Sequence, residues 1–91
     1  MRPPLHGDAV ALAIVLRRAP RPRRDWVMHR VLREADRAAD LARAGAGGHP
    51  LWGDGSLMAA ALRRGLSSEP ALEERDYCRC LARVYAALAE R

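Results

Sequence analysis

Prolines and glycines divide the 91-residue chain into four short segments. The breaks are the pair Pro20 and Pro22, a glycine-rich stretch from Gly45 to Gly55, and the pair Gly65 and Pro70. The segments are rich in Ala, Leu, Arg and Glu, which favour helix, and the β-branched and aromatic residues typical of sheets are scarce. The sequence therefore predicts an all-α fold, a single domain over residues 1–91 built as a compact bundle of about four helices.

The first two segments are predicted to form the first two helices. Asp8 is a candidate N-cap for a first helix over residues 9–19, which ends before Pro20. Its middle is apolar on nearly all sides, as expected for a helix that is buried on most sides or docked on a partner. Pro22 suits the first turn of a second helix over residues 22–44, whose apolar stripe is rich in Ala and permits close helix packing.

The other two segments predict shorter helices. Ser56 is a candidate N-cap for a third helix over residues 57–64, with Leu57, Met58, Ala61 and Leu62 on its apolar face. A fourth helix begins near residue 70 or residue 76 and ends near residue 89. Its predicted core stripe is the following set: Tyr77, Leu81, Val84, Tyr85 and Leu88.

The positive charge lies at the N-terminal end of the chain. The formal net charge is +5, and residues 1–24 hold six arginines and one aspartate, which account for all of it. Lysine is absent, a bias typical of a GC-rich genome, so the positions of the arginines are more informative than their type. Five of them surround Pro20 and Pro22 and form what we call the basic turn: Arg17, Arg18, Arg21, Arg23 and Arg24.

The basic turn is expected either to attract an anionic partner or to act as a solvated turn that keeps a small protein soluble. Another protein, or a second copy of this chain, is the favoured partner, and the first helix would share the surface. Nucleic acid, held through its phosphates, is the alternative. The second helix carries balanced charges, and the chain contains no Asn or Gln to read adenine. The expected function is a non-catalytic interaction protein.

The loop HPLWGDGS over residues 49–56 is the least generic part of the sequence. The glycines around Asp54 indicate backbone angles that other residues rarely adopt. Trp52 is expected to fill the core and His49 to be a solvated loop residue, although His49, Trp52 and Asp54 together are a second candidate for the partner surface. A His–Asp acid–base pair is a third interpretation. Neither a cofactor nor a small-molecule substrate is indicated, and the chain is not expected to be an enzyme.

The cysteines and histidines give weaker signals. Cys78 and Cys80 could join His6 and His49 in a zinc site, but the C-x-C spacing on a helix presents its sulfurs badly, and no metal is predicted. A redox role would need an exposed, electropositive thiol. The first apolar run is too short to span a bilayer and has no clear cleavage site. We therefore expect a cytoplasmic protein with free thiols.

The stretches HPLWGDGSLMAAAL and DYCRCLA, with the LHGD near the N-terminus, resemble a family of small bacterial proteins of unknown function. The resemblance runs over nearly the whole chain. It implies a shared compact helical domain, and it assigns no activity, cofactor or functional residue.

Overall fold

Four α-helices follow one another in the computed structural model, which describes residues 1–45 and 47–91. They are α1 (His6–Arg18), α2 (Arg24–Arg43), α3 (Leu57–Leu62) and α4 (Arg75–Ala89), and a 3₁₀ turn (Arg21–Arg23) precedes α2. The described residues contain no β-strand, and the only bridge among them joins His49 and Gly53. The predicted all-α bundle is confirmed.

The first helix begins earlier than predicted. Asp8 lies in its first turn and is not the N-cap. One oxygen of the Asp8 carboxylate accepts a hydrogen bond from the Leu5 amide at 2.7 Å, and the other accepts one from the Met58 amide at 2.9 Å. Asp8 thus satisfies one unpaired amide of α1 and one of α3. At the other end α1 stops at Arg18, because a residue before proline is pushed out of the helical region.

The second helix begins later than predicted, and α4 begins one residue before the later of its two predicted starts. Pro22 lies within the 3₁₀ turn, and α2 begins only at Arg24. The α4 helix begins at Arg75 and not near Pro70, because residues 71–74 form a turn closed by the Glu74 amide on the Ala71 carbonyl at 3.0 Å. The Ser56 cap on α3 is confirmed by a 3.1 Å bond from the Ala59 amide to the Ser56 hydroxyl, although α3 ends at residue 62.

The core surrounds α1. Residues 9 and 11–16 of α1 are all buried, and α1 packs against α2, α3 and α4. The apolar character of this helix therefore reflects burial within the fold. Tyr77 is fully buried and donates to Glu69 at 3.1 Å. Burial and the neighbouring carboxylate raise the pKa of Tyr77 to about 12.

Three predictions about the core were wrong. Tyr85 is 41% exposed and stacks on the ring of His6, so it lies outside the α4 core stripe. Met58 and Leu62 of the predicted α3 face are exposed, whereas Leu57 and Ala61 of that face are buried together with Ala60. Trp52 does not belong to the core cluster.

Candidate functional site

Two arginines of the basic turn hold the turn against the start of α4. Arg24 is buried and donates to both oxygens of Asp76, at 2.8 and 2.9 Å. The same guanidinium donates to the carbonyls of Arg17 and Ala19 at 3.0 and 3.1 Å. Arg17 pairs with Glu74, with Nη2 2.9 Å from Oε2. Hydrogen bonds from Arg24 hold the pKa of Asp76 below its usual value, so the carboxylate stays ionised.

The other arginines of the basic turn are more exposed. Arg18 donates to the carbonyls of Arg64 and Gly65. Arg21 reaches to 3.7 Å of Asp76, and the Arg23 guanidinium lies 5.0 Å from the ring centre of Trp26. The structure therefore brings the five arginines to one region but uses Arg17, Arg18 and Arg24 to hold the fold.

The loop before α3 is a small hairpin that presents an aromatic pair. The amides and carbonyls of His49 and Gly53 bond to each other at 2.8 and 2.9 Å. His49 Nδ1 accepts from the amides of Leu51 and Trp52 at 3.0 and 3.2 Å, which places the proton of a neutral ring on Nε2. The rings of His49 and Trp52 stack with their centres 3.9 Å apart and 10° between their planes. His49 is thus a half-buried structural partner of Trp52, and not the solvated loop residue that was predicted.

His49 and Asp54 make separate contacts. The Asp54 carboxylate accepts from the Ser56 amide at 3.0 Å and pairs with Arg2. The hydrogen bond from the Ser56 amide is the main reason why the pKa of Asp54 lies below its usual value. The glycines on either side adopt positive φ, 84° at Gly53 and 99° at Gly55, as their spacing predicted. The contacts of this loop account for its sequence without an acid–base pair.

The four acidic residues of α2 all have cationic partners. Asp25 pairs with Arg83, Glu34 with Arg64, Asp36 with Arg91 and the Met1 amino group, and Asp40 with Arg43. Three of these acids are therefore neutralised by other parts of the fold.

The arginines of α2 are less completely paired than its acids. Within the described part of the chain, no carboxylate forms an ion pair with Arg33 or Arg37. Residues 25–43 of α2 hold four arginines and four acids, so their formal charges balance, and this part of the helix nevertheless presents a basic face.

This basic face borders a surface groove of about 630 Å³, which we call the α2 groove. Arginines of α2 line one side, and the stacked rings of the hairpin line the other. Its lining residues are Arg30, Arg33, Glu34, Arg37, Leu41, His49 and Trp52. The groove thus combines free guanidinium groups with an apolar and aromatic surface.

Glu34 is the one acid in the groove lining, and its carboxylate is paired with arginines of the fold. Its side chain is 6% exposed and accepts from Arg64 at 2.6 and 3.2 Å and from Arg30 at 3.3 Å. Burial raises the pKa of Glu34, but the hydrogen bonds and charge of Arg64, with smaller effects from Arg63 and Arg30, outweigh burial and lower it. Glu34 therefore stays ionised and is shared by Arg64 and Arg30, whereas Arg33 and Arg37 in the groove lining have no carboxylate partner among the described residues.

Sequence reasoning did not single out Arg33 and Arg37. The signal was present in the spacing: residues 23, 26, 30, 33 and 37 are separated by three or four positions and share one face of a helix. Four of the five are arginines, and the fifth, Trp26, is 49% exposed with the Arg30 guanidinium 5.3 Å from its ring centre.

The cysteines and histidines are dispersed. Cys78 is exposed, Cys80 is buried, and both are free thiols. His6 is engaged by Tyr85, and His49 by the hairpin. Among the described residues, no group of three or more His, Cys, Asp or Glu side chains is placed to hold a metal ion.

Comparisons with known proteins match the chain to a family that has no assigned function. No helix of the described residues combines the length and apolar character needed to cross a membrane. Neither the curated proteins nor the solved structures gave a match to the chain. A family model described as Domain of unknown function (DUF7742) matches residues 2–88, and the chain therefore belongs to this family of unknown function.

Proposed function

We propose that this chain is a non-catalytic binding protein whose α2 groove receives an acidic segment of another protein. The observation that carries the proposal is the division of charge on α2. Its acids are paired with cations, and Arg33 and Arg37 line the groove without an ion pair among the described residues. Guanidinium groups bind carboxylates with two parallel hydrogen bonds, which gives both affinity and orientation.

The apolar part of the groove favours a peptide over a purely electrostatic ligand. Leu41, Trp52 and the ring of His49 lie beside the arginines. Such a surface suits a segment in which acidic side chains alternate with an apolar one, because the arginines bind the first and the rings cover the second. The volume of 630 Å³ falls within the range of about 300–1,000 Å³ that is usual for ligand sites.

Nucleic acid is the second candidate, and one observation favours it. Stacked aromatic rings next to arginines are also the arrangement that binds single-stranded nucleic acid, where bases stack and phosphates pair. Duplex binding through the basic turn has less support, since Arg17 and Arg24 form internal ion pairs.

A binding experiment separates the two candidates. Fluorescence anisotropy would compare a labelled peptide of alternating Glu and Leu, the same peptide with Gln for Glu, and a labelled single-stranded oligonucleotide. We expect saturable binding of the acidic peptide only, weakened by salt between about 50 and 200 mM. The double variant R33A/R37A should weaken this binding at least tenfold, since roughly 1.4 kcal/mol is tenfold. The control R75A/R79A removes the same two charges from α4, away from the groove, and should change binding less than about twofold.

Two results would overturn the proposal. Equal weakening in both double variants would mean that only net charge matters. Tighter binding of the oligonucleotide, lost in R33A/R37A, would assign the groove to nucleic acid instead.

We also infer a bacterial origin and a cytoplasmic location. The support is the resemblance in residues 49–62, the exclusive use of arginine among basic residues, and two free thiols, which are typical of a reducing compartment.

A further inference from the structure

A second, smaller pocket lies where the basic turn meets α4, away from the α2 groove. We call it the turn pocket. It has a volume of about 210 Å³, and it is lined by Arg21, Arg24, Asp76, Arg79, Cys80 and Arg83. Four of the six lining side chains are guanidinium groups, and they come from both elements.

The charge of the turn pocket is strongly positive. Its four arginines face one carboxylate, that of Asp76, so the lining carries a formal charge of 4 − 1 = +3. Asp25, which pairs with Arg83 outside the lining, reduces the local charge to +2. Cys80 does not add a negative charge, because burial raises the pKa of its thiol. No other acidic residue lines the pocket.

The floor of the turn pocket is already organised. Arg24 is 8% exposed, and its guanidinium is fixed by two backbone carbonyls and by both oxygens of Asp76. At the rim, Arg21 lies 3.7 Å from Asp76 and its side chain is 73% exposed. Arg79 forms no ion pair with any described residue. The pocket therefore combines one fixed guanidinium with two exposed ones, since Arg21 has a long ion pair of 3.7 Å and Arg79 has none among the described residues. Clusters of arginines recognise phosphate through such groups.

We propose that the turn pocket binds the phosphate group of a phosphomonoester or free inorganic phosphate. A volume of 210 Å³ is below the range for drug-sized ligands, so the pocket admits the anionic group and little more. A phosphate dianion offers three strong acceptor oxygens, against two in a carboxylate, and can therefore accept from more of these guanidinium groups at once. This site is independent of the α2 groove and does not rest on the function proposed for it.

The test is an NMR titration of the intact chain with inorganic phosphate, against chloride at matched ionic strength. We expect saturable shifts of backbone amides in residues 21–24 and 76–83. The variant R21A/R79A keeps the Arg24–Asp76 pair and should weaken binding at least tenfold, for which about 1.4 kcal/mol suffices. The variant R33A/R37A removes the same charge from the α2 groove and should leave phosphate binding within about twofold.

A parallel titration with phosphoserine identifies the source of the phosphate. Tighter binding than inorganic phosphate supports an ester as the ligand, and weaker binding supports the free ion. Shifts that stay linear with phosphate concentration would overturn the proposal. Saturable phosphate binding that is unchanged in R21A/R79A would also overturn it. So would a protein that binds no phosphate saturably but binds an oligonucleotide and loses that binding in R21A/R79A.

Discussion

Gly55 is the position at which the hairpin loop is most closely tied to α2, and replacing it with alanine should destabilise the fold. Its φ is 99°, and a Cβ built there would lie 2.7 Å from both Cα and Cβ of Ala39. Carbon atoms in favourable contact are about 3.5–4.0 Å apart. The built Cβ would also lie 3.1 Å from the backbone nitrogen of Ala39, and because Cα and N are backbone atoms of a helix, a small side-chain movement does not relieve the clash.

The magnitude of the effect has two parts. An alanine held in the left-handed region costs about 1–2 kcal/mol. Forcing a methyl group into a packed contact costs about 1–3 kcal/mol more. The expected loss in the free energy of unfolding for G55A is therefore about 2–5 kcal/mol. This is a large share of the total for 91 residues, which at roughly 0.05–0.15 kcal/mol per residue is about 5–14 kcal/mol.

The matched control is G45A. Gly45 also has a positive φ, 84°, but apart from its chain neighbours no atom of the described residues lies within 4 Å of its built Cβ. This variant should show only the backbone part, about 1–2 kcal/mol. Urea unfolding, followed by circular dichroism at 222 nm, measures both variants. A difference between them below about 0.5 kcal/mol, which is near the error of extrapolation, would refute the close approach of the loop to α2.

Three further predictions concern buried groups. R64A leaves the carboxylate of Glu34 with Arg30 alone and should lower the free energy of unfolding by about 2–3 kcal/mol, whereas R63A should change it by less than about 0.5 kcal/mol in the same urea assay. The lowered pKa of Glu34 contributes stability above its ordinary pKa of 4.5, and this is lost as the pH falls through the lower pKa of the folded state. E34Q should therefore reduce the pH dependence of unfolding below pH 4.5, and an unchanged slope would contradict this. Cys78 should react with a thiol reagent in the native protein, whereas Cys80, 1% exposed, should react only on unfolding; equal rates would exclude the burial of Cys80.

Much of the helical architecture was predictable from local signals. Pro20 ends α1 and Ser56 caps α3 through contacts within a few residues, so sequence spacing is enough to find them. The start of α1 was missed because Asp8 accepts from the Leu5 amide, three residues before it, and from the Met58 amide, 50 residues away, and from no amide that follows it in α1. A carboxylate with two amide partners at the start of two helices looks the same in the sequence as an ordinary N-cap.

The loop was only partly predictable. The positive φ of Gly53 and Gly55 follows from the residue type. The position of Trp52 does not, because a large aromatic residue in a small domain is usually buried in its core. Here α1 already fills the centre, and Trp52 stacks on His49 at the surface. The ring is thereby left beside the α2 groove.

The pattern of ion pairs shows why the candidate site could not be found by summing charges along the sequence. Summed along the chain, the excess charge lies in the basic turn and α2 is balanced. In the fold, ion pairs between residues that are distant in sequence neutralise part of the basic turn and pair the acids of α2. Arg17 is neutralised by Glu74, while Arg83 and Arg91 neutralise Asp25 and Asp36 on α2. These three contacts span 55 to 58 residues, so no local window contains both partners. On α2 itself, Arg33 and Arg37 are therefore left without a carboxylate partner among the described residues, beside the aromatic pair of the hairpin.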